Sequence, residues 1–424
     1  MAEYEKTRRT KNGVSIFSYA NPSLHSFQIS LFVKAGCMYE ADGERGITHF
    51  LEHVAIRNVN RLFDMKLYRM LDEYGIEFNA STYSEMVQFY ISGAKDKIDV
   101  ARKIMMKIFS PIVLSPEEIK REGERIKAEI RENDERSSLA TFTSAAVYEG
   151  TPLEKTITGT ASDISRITKS RLEEYRKRVF TSDNIFFYLT GSFDDGVAEK
   201  IAKESAALAE KGGLCHENTA KVPKDFFNRS YDVKIKNADY TMLRMTFDMD
   251  MSKYSMAECD ILYDMLLGGY NSRFYIELSE RRGLCYDVSG AMERYKNIGT
   301  FTFSVELKQK DIYEALKIII DELKSIKSRA ADEDSLMKAG YVDNAYMLYD
   351  DARELNFTFA YDNHIMDEGY LSLDERRARY AAVTPEKIRA AAAEIFKKKN
   401  LTLTMKGRRR AIDASRIKEI LEML

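Results

Sequence analysis

The chain has 424 residues, of which 44% are hydrophobic, so its length allows two or more domains and its composition excludes wholesale disorder. The 65 Lys and Arg residues nearly balance the 67 Asp and Glu residues, and a net charge of −2 gives no bulk attraction for nucleic acid. The absence of a long apolar run predicts no membrane span, while a polar N-terminus without an apolar signal region and four scattered cysteines favour a reducing cytoplasm.

The first predicted elements are two strands, over residues 13–17 and 26–35, which are rich in β-branched and aromatic residues. A loop of glycine and acidic residues at 41–45 follows. It leads into a predicted helix that contains the sequence H-x-x-E-H at 49–53. This pattern is the inverted form of the H-E-x-x-H zinc motif.

His49 and His53 are four residues apart, so a helix places both imidazoles on one face, where they can bind one zinc ion. Glu52 lies beside them, and a carboxylate next to the metal can take the proton of an attacking water. Two exposed histidines on an acidic helix would be the alternative. Apolar neighbours argue against it, because they predict a mostly buried helix: Ile47, Phe50, Leu51, Val54 and Ile56.

The remainder of the first half alternates helices and strands. Helices are predicted at 61–74, 96–109, 115–133, 170–180 and 196–208, and strands at 76–82, 86–92 and 184–190. The helix from 115 begins with a Ser-Pro-Glu-Glu sequence, which supplies a capping hydroxyl, a proline in the first turn and acidic residues near the positive end.

A catalytic zinc site usually takes a third protein ligand, and the helix at 115–133 offers candidates. Glu122 and Glu129 are seven residues apart and therefore share one helical face, so one could bind zinc while the other supports the site. Glu132 is a further candidate, and spacing alone does not choose among the three. Without the zinc motif, such a charged segment would be interpreted as a solvated helix.

The second half repeats this plan. After an aperiodic segment, strands are predicted at 230–235, 240–248, 286–289, 300–307 and 401–405, and helices at 257–267, 272–282, 311–325 and 332–348, with further helices to 397. We therefore predict a duplicated α+β fold with an N-terminal zinc domain at 1–210, a linker at 211–225 and a C-terminal domain without the motif at 226–424. The basic cluster at 406–410 is interpreted as a solvated turn.

The sequence Gly-Ile-Thr-His-Phe-Leu-Glu-His at 46–53 resembles the G-x-A-H-F-L-E-H motif of the pitrilysin/insulysin family of inverzincin metallopeptidases. This family includes insulin-degrading enzyme and mitochondrial processing peptidase, and the resemblance spans nearly the whole chain. It implies two homologous α+β domains, each an antiparallel-rich sheet packed with helices, that form half of a clam-shell chamber. It also implies one zinc ion per chain, with Glu129 as third ligand and Glu122 as its support.

Two further segments resemble the family's substrate-contacting regions. Asn79, Ala80, Ser81 and Thr82 resemble its N-A-x-T strand, whose backbone pairs with an extended peptide. The residues at 267–274 and 277–286 resemble a family stretch in which an Arg and a Tyr seven residues apart contact substrate. Tyr286 keeps the tyrosine, whereas Ser279 occupies the arginine position and lacks its charge and fork of donors. Arg282 is a candidate substitute.

The resemblance implies a zinc endopeptidase that acts on peptides or unfolded segments. Glu52 and Tyr286 would take part in catalysis, and a dimer is expected, with a slight preference for a related subunit that lacks zinc but carries the Arg/Tyr pair. One alternative is a dedicated peptidase for the leader of a ribosomally made peptide or cofactor precursor. The other is a non-catalytic structural subunit of the same fold, which the complete set of metal-binding candidates disfavours.

Overall fold

The protein is described by a computed structural model over residues 5–136, 138–213, 219–228, 232–328 and 336–424. The chain forms two compact units. The first contains the described residues of Met1–Arg136, Lys155–Asn218 and Tyr346–Ser372, and the second those of Ser137–Glu154, Thr219–Ala345 and Leu373–Leu424. The units therefore differ from the predicted division at 210, because the first includes Tyr346–Ser372 and the second includes Ser137–Glu154. Part of the predicted linker at 211–225 lies outside the described residues, and the linker stays a prediction.

The strands in chain order are β1 Lys6–Arg9, β2 Ser15–Ala20, β3 Ser26–Val33, β4 Glu77–Thr82, β5 Val87–Ala94, β6 Ile185–Gly191, β7 Asp232–Asn237, β8 Thr241–Asp250, β9 Val288–Arg294, β10 Ile298–Leu307 and β11 Leu401–Gly407. The α-helices are α1 Ile47–Leu62, α2 Leu67–Tyr74, α3 Ile98–Met106, α4 Pro116–Arg136, α5 Ser138–Val147, α6 Ala161–Arg166, α7 Lys169–Val179, α8 Asp195–Leu208, α9 Met256–Leu266, α10 Ile312–Ser328, α11 Ala339–Val342, α12 Ala352–Ala360, α13 Leu373–Ala381, α14 Pro385–Ile395 and α15 Ala414–Leu421. None of these helices is long and apolar enough to cross a membrane.

The first unit is built on a six-stranded sheet in the order β1-β2-β6-β3-β5-β4. Its neighbouring strands are antiparallel except β2 and β6, which are parallel. Because side chains alternate along β3, Phe27, Ile29 and Leu31 enter the core on the face that α1 covers. Phe32 points to the other face, where it belongs to an aromatic cluster with Phe359 of α12. β4 is left as an edge strand.

The second unit repeats this topology with a five-stranded sheet in the order β7-β11-β8-β10-β9. β7 and β11 are parallel and the other pairs are antiparallel, as in the series β2-β6-β3-β5-β4. Phe247, Phe301 and Phe303 fill its core, while Thr143 of α5 bonds Thr404 on the opposite face through their hydroxyl groups at 2.7 Å. The predicted α+β class with two similar halves is thus confirmed.

Several predicted elements are wrong in detail. The single helix predicted at 61–74 is interrupted between α1 and α2, because Asp64 (φ 52°) and Met65 (φ 64°) adopt the left-handed conformation. The described part of the helix predicted at 332–348 consists of α11 and a short 3₁₀ segment, Ala345–Asp350, and Met337 before it has a φ of 47°.

The helix predicted at 272–282 contains a π-helical stretch at Tyr275–Glu280. The strand predicted at 286–289 is instead β9, which begins at Val288 and continues to Arg294. β1, α5 and α6 were not predicted.

Candidate active site

The N-terminus of α1 is anchored by a buried carboxylate. Glu40 is 3% exposed and accepts hydrogen bonds from the backbone N–H groups of Gly46 at 2.9 Å and Thr48 at 3.0 Å. These bonds satisfy donors that a helix start otherwise leaves unpaired. Gly46 has a φ of 79°, and a Cβ there would lie 2.6 Å from the carbonyl oxygen of Thr158. The chain can therefore enter α1 in this way only with glycine at this position.

α1 holds the three residues of the motif next to one another. The rings of His49 and His53 pack edge to face with their centroids 4.5 Å apart. His49 is 7% exposed and Glu52 is 9% exposed. Buried polar groups of this kind need partners. The structure supplies those partners from α4 and β4.

α4 lies close to α1 at a glycine. Its first turn is capped by Ser115, whose hydroxyl accepts the N–H of Glu118 at 3.2 Å. A Cβ on Gly123 would be 3.3 Å from Cζ of Phe50 on α1, so a glycine permits this close approach. The approach brings Glu122 and Glu129 within reach of the two histidines.

The Nε2 atoms of His49 and His53 both face Glu129. They lie 3.3 Å and 3.4 Å from its Oε2 atom, and one ligand atom from each residue fits within 4.8 Å of the others. Zinc bonds to nitrogen and oxygen are about 2.0–2.2 Å long, so two ligand atoms of a tetrahedral site lie about 3.3–3.5 Å apart. The two measured separations match that spacing, and His, His and Glu are a donor set that catalytic zinc uses. The residues fit a zinc ion.

Glu122 supports His53 from behind. It is 1% exposed, and one of its oxygens lies 3.0 Å from Nδ1 of His53, opposite the nitrogen that faces Glu129. Arg125 donates to the same carboxylate at 3.1 Å, and Nε of Arg57 lies 3.7 Å from its other oxygen. A carboxylate on the second nitrogen fixes the orientation and tautomer of a metal-binding histidine.

Charge at this cluster favours a cation. Burial lowers the pKa of His53, but its hydrogen bonds to Glu122 and Glu129 outweigh burial and raise the pKa to about 9. Hydrogen bonds from His49 and His53 hold the pKa of Glu129 well below its usual range. Burial would raise the pKa of Glu122, yet the hydrogen bond with His53 and the charge of Arg125 lower it. The two carboxylates therefore stay ionised, and a metal ion would replace protons on the imidazoles.

Glu52 faces β4. The hydroxyl of Thr82 donates to its Oε2 atom at 2.7 Å. Nδ1 of His49 lies 3.5 Å from the same oxygen and makes no hydrogen bond to any of the described residues. The carboxylate therefore lies between the zinc-binding candidates and the edge strand.

Asn79, Ala80, Ser81 and Thr82 all belong to β4, the last strand of its sheet. Within the described sheet, β4 pairs only with β5, so one side of its backbone has no strand partner. Asn79 folds its side-chain oxygen back onto the N–H of Ala80 at 2.9 Å. An edge of this kind is the template for adding a peptide strand.

Tyr286, Arg282 and Ser279 lie in the second unit and are described within it. The hydroxyl of Ser279 donates to the carbonyl oxygen of Tyr286 at 2.9 Å, while the Tyr286 side chain is 95% exposed. Arg282 forms an ion pair with Glu277 and also donates to its backbone carbonyl at 2.8 Å. Arg282 is thus held by its own helix. Tyr286 lines a surface cavity of about 560 Å³ with three other tyrosines: Tyr263, Tyr270 and Tyr275.

Two family descriptions match the chain. Residues 15–161 match "Insulinase (Peptidase family M16)", and residues 166–339 match "Peptidase M16 inactive domain". The chain belongs to peptidase family M16. The residues that carry the resemblance lie mostly within the first match, whereas Tyr286 and Arg282 lie within the second.

Several other proteins are similar to this chain over most of its length. An uncharacterized zinc protease of Rickettsia felis is 25% identical over 329 residues, which cover 77% of this chain and 78% of that protein. A Helicobacter pylori protease of known structure is 16% identical with a TM-score of 0.84, covering 96% of this chain and 99% of that one. The Escherichia coli periplasmic protease PqqL is 16% identical with a TM-score of 0.80. That match covers 100% of this chain and 50% of the PqqL chain.

Sequence reasoning missed several residues that surround the motif. Arg125 is three residues from Glu122, and this helical spacing would have indicated the ion pair. Glu40 accepts hydrogen bonds from backbone groups at the start of α1. Thr82 on β4 donates to Glu52 on α1, 30 residues away in sequence. No spacing rule identifies either, because tertiary packing creates them. The roles assigned to the site residues stay predictions.

Proposed function

We propose that this chain is a zinc-dependent endopeptidase that hydrolyses peptides or unfolded segments bound as an added strand along β4. The observation that carries the proposal is the convergence of His49, His53 and Glu129, in which both Nε2 atoms lie at ligand spacing from Glu129, with Glu52 on the helix of the two histidines. Membership of family M16 and the zinc-protease names of its relatives support it. We expect one zinc ion per chain and a cytoplasmic location.

The bound zinc would act as a Lewis acid that polarises the scissile carbonyl and lowers the pKa of the attacking water. His49, His53 and Glu129 would hold it. Glu52 accepts the proton of the water and passes it to the leaving amine. The backbone edge of β4 orients the peptide through main-chain hydrogen bonds, which demand little sequence specificity. Tyr286 and Arg282 are our candidates for further substrate contacts, and Arg282 would have to leave Glu277 to make one.

The test combines metal analysis with hydrolysis of a quenched fluorescent peptide. We expect one zinc per chain in the wild type and in Glu52→Gln, with hydrolysis at least 100-fold slower in the variant because it cannot accept a proton. Glu124→Gln is the matched control, since Glu124 is exposed on α4 and pairs with Lys127. If the wild type binds no zinc and cleaves no peptide, alone or with a partner, the chain is a structural subunit instead.

A further inference from the structure

Thr82 makes a contact that its place in the substrate strand does not require. Its hydroxyl lies 2.7 Å from Oε2 of Glu52, the length of a strong hydrogen bond to a charged carboxylate. Nδ1 of His49 also lies near Oε2, but at 3.5 Å, so the Thr82 hydroxyl makes the shorter of these two contacts. The Thr82 hydroxyl is therefore the nearer of these two restraints on the group that would act as the base.

The direction of the Thr82 side chain follows from the strand. Side chains alternate along β4, and Phe78 and Ala80 pack against the core that α1 also lines. Thr82 is two residues beyond Ala80, so it shares that face and points towards α1. It is also the last residue of β4, paired with Val87 of β5, so its backbone is fixed by the sheet.

We propose that Thr82 is a positioning residue that sets the orientation of Glu52 relative to the strand on which the peptide pairs. This inference rests on the proposed function and deepens it. The base and the peptide template are then parts of one rigid element, because β4 supplies both the hydrogen bond to Glu52 and the backbone edge. A peptide that pairs with β4 is thereby aligned with the base without a separate contact. Threonine suits the task, since its branched Cβ restricts the hydroxyl to few rotamers.

The arrangement predicts a specific kinetic defect. Without the hydroxyl, the edge of β4 still binds peptide, but Glu52 is free to take other rotamers. Misplacement of a catalytic group by about 1 Å can cost about 100-fold in rate. Loss of the Thr82 hydroxyl should therefore lower kcat by about 10- to 100-fold while KM and zinc affinity stay at the wild-type values.

The experiment compares Thr82→Val, which keeps the shape but removes the hydroxyl, with Thr82→Ser, which keeps the hydroxyl. Thr7→Val on β1, an exposed position at the opposite edge of the same sheet, is the matched control. Each protein is assayed for kcat and KM on the quenched peptide, for zinc affinity by chelator competition and for thermal unfolding. Thr82→Ala replaces Thr82→Val if the latter does not fold.

The proposal expects low kcat in Thr82→Val, activity close to wild type in Thr82→Ser and Thr7→Val, and equal zinc affinity throughout. In crystal structures of the zinc-loaded proteins, Glu52 should change rotamer in Thr82→Val and keep it in Thr82→Ser. Normal kcat in Thr82→Val, an equal loss in Thr82→Ser, or a defect confined to KM would each overturn it. Failure of the proposed function is distinguishable, because Glu52→Gln would then match the wild type.

Discussion

Glu122 is a buried carboxylate beside the candidate metal site. It is almost wholly buried, yet it stays ionised because His53 and two arginines, Arg57 and Arg125, surround its carboxylate. A buried charge without such partners would be neutralised or costly. The arginines therefore allow a carboxylate to remain beside His53, where it would increase the basicity of this candidate ligand.

Replacing Glu122 with Gln should weaken zinc binding. Gln keeps the size and one acceptor oxygen but removes the negative charge that orients His53, and loss of such a partner typically costs about 10- to 100-fold in metal affinity. Chelator competition at neutral pH measures the dissociation constant, and Glu124→Gln on the exposed face of α4 serves as control. An unchanged constant in Glu122→Gln would show that the bond to His53 does not tune the metal site.

Glu40 gives a pH-dependent prediction about stability. Burial raises the pKa of Glu40, although hydrogen bonds with the backbone of Thr48 and Gly46 oppose this. The folded state therefore holds the proton to a higher pH than the unfolded state does. It follows that the stability contributed by this group is complete below the unfolded pKa, about 4.3, and falls as pH rises through the folded pKa.

We compare the free energy of unfolding of the wild type with that of Glu40→Gln. The difference, wild type minus variant, should decrease as pH rises above about 4, near the usual carboxyl pKa of about 4.3, and then level off. Other titrating groups largely cancel in this difference. Urea unfolding of both proteins with a chelator present measures it. A difference that rises with pH would mean that the backbone hydrogen bonds outweigh burial.

At the scale of elements, the site depends on how closely two helices approach. α1 and α4 meet where Gly123 lies against Phe50, and this contact sets the distance from Glu129 to both histidines. Helices with larger residues at the contact lie farther apart, at about 8–10 Å between axes depending on the side chains. A small residue at this position lets α4 lie close to α1, which carries both histidines.

Gly123→Ala should weaken zinc binding by several-fold without unfolding the protein. The new Cβ would lie 3.3 Å from Cζ of Phe50, a tight contact, so either the Phe50 ring or α4 must shift by a few tenths of an ångström, and we expect α4 to move. Gly196→Ala in the first turn of α8 is the control, because its Cβ would meet nothing within 4 Å and alanine favours helix. Equal zinc affinity in both variants would show that Phe50 adapts and leaves the ligand geometry intact.

The elements also show which features of the fold and the site the sequence patterns could predict. The periodicity of α1 and β3 and the cap at Ser115 predicted those elements, because local propensity and burial agree there. The interruption at Asp64 and Met65 could not be predicted, since aspartate adopts the left-handed conformation only occasionally and methionine rarely does, so no local preference indicates two such residues in succession. The motif indicated His49 and His53 from spacing, whereas the choice of Glu129 needed the family resemblance. The contact of Thr82 with Glu52 depends on tertiary structure and has no sequence signal.

At the scale of the whole molecule, the described residues contain one set of His and Glu side chains that could bind a metal ion. The segment that resembles the family's substrate-contacting region departs from the family pattern at Ser279. Ser279 occupies the position at which the family resemblance predicts an arginine. Its hydroxyl donates to the carbonyl of Tyr286, and Arg282 forms an ion pair with Glu277. The chain also aligns over its full length with only half of PqqL. From the position of Ser279 we propose a partner chain that contributes the arginine.

We therefore expect the chain purified from its native host to carry a related subunit that lacks H-x-x-E-H but has an Arg and a Tyr seven residues apart. The pair should have a mass well above the 48.8 kDa of one chain, measurable by sedimentation. It should also cleave the quenched peptide with a higher kcat/KM than the isolated chain, because guanidinium supplies a charge and paired donors that serine cannot. Replacing the partner's arginine with serine isolates that contribution. If the chain alone, as monomer or homodimer, matches the activity of the purified pair, its own Tyr286 suffices and the arginine is dispensable.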